Sequence, residues 1–101
     1  MRILMTVSLP HRTFNAALRD GSVAAKIRKI MEAVKPECAY FTELDGKRTV
    51  VLVVNLADAS QIPPLAEPWF LTFEADVQFR PAMVAADLER AGLDAIAKQW
   101  G

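Results

Sequence analysis

One cysteine, Cys38, stands in the 101-residue sequence. No internal disulfide can form from it, and a reducing compartment, the cytoplasm, is the natural home. There is also one histidine, His11. It has no partners at ligand spacing, so no metal site is expected. Neither sign of charge prevails: 12 basic residues balance 12 acidic ones, with no basic block. Sequence-independent nucleic-acid binding runs on phosphate neutralisation and is set aside as a role. No unbroken apolar run approaches the roughly 20 residues of a membrane span, so no membrane partner is expected and the chain reads as soluble. Arg2, Thr6 and Ser8 interrupt the apolar start, and no small-residue cleavage site follows, which marks a strand and not a signal peptide. A glycine-rich phosphate loop, a nucleophile triad and a dinucleotide fingerprint are all missing, and no cofactor is expected.

What the sequence does have is apolar residues, 52% of the total, in a chain long enough for one domain. Its organising stretch is Glu37 to Asn55, read as strand, tight turn and strand. Asp45-Gly46 suits a two-residue type I′ turn, in which both central residues take positive φ. That register sets Leu44 against Lys47, Glu43 against Arg48 as an ion pair, Thr42 against Thr49 and Tyr40 against Val51. One face then carries Cys38, Tyr40, Thr42, Thr49, Val51 and Val53; the other carries Ala39, Phe41, Val50, Leu52 and Val54. A strand apolar on both faces asks for cover on both. Cys38, amid apolar neighbours, reads as buried and inert.

Around the hairpin, Arg2 to Leu9 alternates as a first strand stopped by Pro10. His11 to Val34 reads as helix, with Phe14, Ala17, Leu18, Ala24, Ile27, Met31 and Val34 near helical spacing. At Asp20-Gly21-Ser22 either one segment ends and Ser22 caps the next, or the helix bends. Asp58 and Gln61 form a capping box before a second helix with the stripe Ile62, Leu65, Ala66, Trp69 and Phe73, distorted near Pro68. Glu74 to Arg80 alternates as a fourth strand. A helical tail follows, divided at Gly92.

The order β-α-β-β-α-β is the split arrangement of ferredoxin-like domains: an α+β fold with a four-stranded antiparallel sheet and both helices on one side. Residues 1–82 form this core and 83–101 the tail. The helix-facing side takes Ile3, Met5, Val7, Phe41, Val50, Leu52, Val77 and Phe79. The other side mixes Leu4, Val51 and Val53 with polar groups. Leaving Val51 and Val53 in water forfeits roughly 1.5–3 kcal/mol each. Either the tail or the same face of a second copy covers them. The expectation is a homodimer or larger homo-oligomer, two sheets face to face as a dimeric α/β barrel, with the tail reaching across or packing at the edge.

Met5-Thr6-Val7-Ser8-Leu9-Pro10, and Pro68-Trp69-Phe70 running on to Asp76-Val77 and Arg80-Pro81, resemble the matching regions of muconolactone isomerase-type proteins. More broadly the chain resembles the dimeric α/β-barrel superfamily, as one of its uncharacterised bacterial branches. The hairpin Phe41 to Val50 has no counterpart there, so no catalytic residue is carried over. The resemblance implies a scaffold shared by cofactor-free isomerases, small monooxygenases, haem-handling enzymes and proteins without activity.

In a water-poor barrel Asp76 would serve as a proton-transfer base, Arg80 would hold a carboxylate or enolate oxygen, and Tyr40 would donate a hydrogen bond. Thr6, Ser8, Thr42 and Gln78 share that face as substrate contacts, and Trp69 would floor the pocket. His11 lies where a barrel mouth would open, and an imidazole is a side chain suited to proton transfer. Each has a plainer reading. Asp76 and Arg80 pair across a dimer or face solvent; His11 is a solvated helix end; Trp69 is core; Trp100 docks at a dimer interface. Whether the chain is an enzyme stays open. One reading is an isomerase-like enzyme acting on a small, partly apolar molecule; the other is a non-catalytic ligand-binding or assembly module.

Overall fold

In the computed structural model, which describes residues Met1–Gly101, the chain forms β1 Arg2–Leu9, α1 His11–Arg19, α2 Val23–Val34, β2 Cys38–Leu44, β3 Lys47–Asn55, α3 Ile62–Phe73, β4 Asp76–Pro81, α4 Ala85–Arg90 and α5 Leu93–Trp100. The strands pair antiparallel in the order β2-β3-β1-β4. The core lies between one face of this sheet and the helices. Ile3, Met5, Val7 and Leu9 of β1 and Val50, Leu52 and Val54 of β3 meet Ala17, Ile30, Val34, Trp69 and Phe73 there. Period-two alternation puts those strand residues on one side.

The hairpin has the register that its turn dictates. Asp45 and Gly46 take φ of 55° and 75°, and Leu44 faces Lys47, Thr42 faces Thr49 and Tyr40 faces Val51. Glu43 and Arg48 are cross-strand partners but do not form the anticipated ion pair. Glu43 accepts the Gly46 backbone N–H at 3.0 Å. Arg48 turns instead to α1, where it donates to Asn15 Oδ1 at 2.8 Å and lies 4.4 Å from the centre of the Phe14 ring. A planar guanidinium gains a stacking surface there as well as a hydrogen bond, which an exposed carboxylate would not give it.

The first helical stretch breaks in two. Gly21 sits at φ 80°, and Asp20 Oδ1 accepts the Ser22 backbone N–H at 2.8 Å, while the Ser22 side chain makes no cap hydrogen bond. The break resets the helical phase. Leu18 and Ala24, placed on the apolar stripe by continuous periodicity, are exposed, whereas Ile30 is buried and Val23 packs against the core. At the far end of α3, Glu74 takes φ 55° as a left-handed cap, so β4 starts only at Asp76. Thr13 Oγ1 donates to the Phe73 carbonyl and fastens α1 to that end.

Ahead of α3, Asp58 Oδ1 accepts the Ser60 N–H at 2.8 Å, and Gln61 Oε1 accepts the Ala57 N–H at 2.8 Å. The Ser60 hydrogen bonds, the backbone one first, hold the Asp58 carboxyl below its ordinary value of 3.8. A depressed folded pKa means that the carboxylate stabilises above the unfolded value and loses its effect as pH falls through the folded one. Asp58→Ala is therefore expected to lower the melting temperature at pH 7, with the gap to wild type narrowing below about pH 3.8 as the unfolded and then the folded carboxyl protonates. Paired thermal melts at pH 7 and pH 3 check this. A gap that widens in acid would contradict it.

The sheet does not close. The four-stranded antiparallel α+β core is present as anticipated, but the expected dimeric α/β barrel is overturned, because β2 and β4 remain free edges of an open sheet. Two physical causes are visible. The helices cover the central strands, and on β2 the core takes in Ala39 but not Phe41, which was anticipated against the helices and is 60% exposed. The tail does not fold back over the second face either: every residue of α5 is exposed, and α4 is buried nowhere. The chain is accordingly long, 59 × 28 × 19 Å, with a radius of gyration of 17.1 Å where about 13 Å is usual for this length.

Candidate functional site

Strand register places the open face in rows that run across all four strands. Thr42, Thr49, Ser8 and Asp76 make the first row, Tyr40, Val51, Thr6 and Gln78 the second, and Cys38, Val53, Leu4 and Arg80 the third. Neighbouring strands lie about 4.8 Å apart, so a row spans roughly 14 Å. The first row is wholly polar. The other two are apolar at β3, with the polar groups gathered toward β4. The face is thus graded from a polar end by the hairpin turn to an apolar middle.

Thr6, Ser8, Asp76 and Gln78 come together in one cleft of about 210 Å³, joined by Thr49 and by Leu44, Asp45 and Lys47 from the hairpin tip. Pockets that enclose small organic ligands run to roughly 300–1,000 Å³, so this one is too small for such a guest. Its lining holds one cation, Lys47, and two carboxylates, Asp45 and Asp76, a mixture that does not single out an anion. Arg80 Nη2 donates to Gln78 Oε1 at 2.9 Å. Asp76 and Arg80 are not paired within the chain, whose ion pairs are Arg2–Glu37 at 3.1 Å and Arg90–Asp87.

The other residues singled out from the sequence lie elsewhere. Tyr40 and Thr42 share the open face but sit on the edge strand β2, both exposed. His11 is exposed at the start of α1, in the helical layer. Trp69 is fully buried in the core on the opposite side of the sheet and does not share a cavity with Asp76. Cys38, anticipated as buried, is exposed, because β2 is an edge strand on an uncovered face. No group of three or more histidine, cysteine or carboxylate side chains is placed to hold a metal ion.

A larger cleft, about 680 Å³, opens where the tail leaves the sheet, between Arg2, Glu37 and Asn55 on one side and Met83, Val84, Asp87 and Arg90 on the other. Sequence reasoning missed it, since it joins residues from both ends of the chain and no local pattern marks it. Its charges are spent on structure. Arg2 pairs with Glu37, and Asp87 binds Arg90 and accepts the Val84 N–H at 2.9 Å.

The isomerase-like reading depended on a water-poor chamber with Asp76, Arg80 and Tyr40 turned inward. An open sheet supplies no such chamber, and a proton-transfer reaction within a barrel is not what this architecture offers. No helix is long and apolar enough to cross a membrane. No known protein family and no curated protein matches the chain. The expected kinship with muconolactone isomerase-type proteins and the dimeric α/β-barrel superfamily, drawn from Met5 to Pro10 and Pro68 to Pro81, is therefore not upheld: the sheet is open and those short segments carry no family match. What stands is a small α+β domain with an open antiparallel sheet and additional C-terminal helices.

Proposed function

We propose that this chain is a self-associating module, whose role is to build a homo-oligomer through the uncovered parts of its own surface. The observation that supports this reading is an area. The chain exposes 7056 Å², whereas a compact monomer of 11.2 kDa exposes about 5,700 Å². The excess, roughly 1,300 Å², exceeds the about 800 Å² that each partner contributes to a standard stable interface. It is also apolar in part: Tyr40, Phe41, Leu93 and Trp100 are all more than half exposed. Leu93 and Trp100 share one side of α5, and contiguous apolar surface marks a place that meets another protein.

In this reading Val51, Val53 and Leu4 form the middle of a contact surface. Asp76, Gln78 and Arg80 become its polar rim along β4, with Thr6, Ser8 and Thr42 filling the hydrogen-bonding end. A small-molecule role at Thr6, Ser8, Asp76 and Gln78 would need more volume than their 210 Å³ cleft provides, and in the 680 Å³ cleft the charged groups are already paired with one another. An exposed Cys38 thiol suits a reducing compartment such as the cytoplasm. Association that involves only folded chains raises stability by mass action. The melting temperature is thus expected to rise with protein concentration. A melting temperature that stays constant over a hundredfold range of concentration would overturn the reading.

A further inference from the structure

We infer that α4 and α5 form an exchange arm, and that its apolar stripe lies across the open sheet face of a second copy of this chain. The inference rests on the self-association reading and names its contact. Leu93, Ile96 and Trp100 recur at helical spacing along α5 with Ala97 between them, while Asp94 and Lys98 fall on the opposite side. An amphipathic helix owes its stability to something packed against its apolar side. Here that side is left open: Leu93, Ile96 and Trp100 are 54%, 45% and 82% exposed.

The arm does not reach its own sheet face. It departs from the Pro81 end of β4, where Asp87, bonded to Arg90 and to the Val84 N–H, sets its direction. The 59 Å long axis of the molecule is the outcome. The acceptor is sized for it. A helix of 8 residues is about 12 Å long. The apolar middle of the sheet, Leu4 on β1, Val51 and Val53 on β3 and Tyr40 on β2, spans about 10 Å between the outer strand axes. The excess surface of roughly 1,300 Å² per chain is enough for one arm given and one arm received. Reciprocal exchange between two copies closes on itself by two-fold symmetry.

Cys38, exposed in the third row of the acceptor face, provides the probe. Ala97→Cys puts a second thiol beside the arm's stripe with almost no change in volume, and Lys98→Cys puts one on its outer side. Each variant is oxidised with copper phenanthroline, separated on a non-reducing gel and mapped by peptide mass, with its sedimentation recorded alongside. The expected result is an interchain bond between positions 38 and 97 in Ala97→Cys, with Lys98→Cys cross-linking at least tenfold less. A 38–97 bond within one chain would overturn the inference by showing the arm folded onto its own sheet. Oligomeric Ala97→Cys without that bond would overturn it too, the arm then lying elsewhere, for instance in the groove between α2 and α3 beside Leu71. A wild-type protein that sediments as a single chain would remove the self-association reading itself.

Discussion

Trp69→Ala is expected to destabilise the fold by about 3–5 kcal/mol, a loss that leaves a domain of ordinary stability largely unfolded. Only 15 of the 101 residues are buried, and Trp69, fully enclosed, is among the largest of them. So small a core has few other groups to take over its contacts, and little freedom to collapse into the space left behind. Trp69→Phe is expected to behave differently. The buried indole N–H has no hydrogen-bond partner, so the phenyl ring gives up volume but also removes an unsatisfied donor. Its cost is expected to stay below about 1.5 kcal/mol. Urea denaturation followed by circular dichroism separates the two. Equal losses would mean that the indole nitrogen is bound after all.

Leu52→Asp and Val53→Asp, at adjacent positions of one strand, are expected to fail in opposite ways. Leu52 is fully buried and pairs with Met5 across the central strands. An aspartate there places an unpaired charge among apolar side chains, and the chain is expected not to fold. Val53 points to the open face and is half-buried within the single chain. Val53→Asp is therefore expected to keep native circular dichroism. It should weaken self-association by about 30-fold or more, or ~2 kcal/mol, because the charge must lose its water at the centre of the contact. Sedimentation velocity of the folded variant checks this. An unfolded Val53→Asp would place Val53 in the chain's own core, and an unchanged oligomer would take the sheet face out of the interface.

What could be read from the residues alone was what depends on near neighbours. Asp45-Gly46 fixes two φ signs and with them the register of the hairpin, and it does so within four residues. The alternation of Arg2 to Leu9 and the pairing of Asp58 with Gln61 are local in the same sense. Failures begin where distant chain decides. Periodicity carried through Gly21 put Leu18 and Ala24 inward, since a helical pattern contains nothing that records a change of phase at a left-handed glycine. Glu74 completes an alternating pattern and yet caps a helix. Phe41 and Cys38 have the composition of buried strand residues, but the helices end before they reach Phe41, and Cys38 lies on the face that no helix covers.

The candidate site was legible to the same degree. Alternation assigned Thr6, Ser8, Asp76 and Gln78 to one face, and the pairing of β1 with β4 makes them neighbours. Tyr40 shares the face but not the cleft, because β3 and β1 lie between β2 and β4. Trp69 belonged both to a core stripe and to a supposed pocket floor; burial assigns it to the core. A barrel was inferred because the second face is too apolar for water. The need for cover is real, but a face that needs cover does not say what supplies it.

Sedimentation equilibrium of the full chain is the most direct measurement of that cover. If the uncovered sheet and tail are contact surface, the mass is expected to be a multiple of 11.2 kDa at concentrations up to about 100 µM, a range that saturates any micromolar association. A mass of 11.2 kDa throughout that range would contradict it.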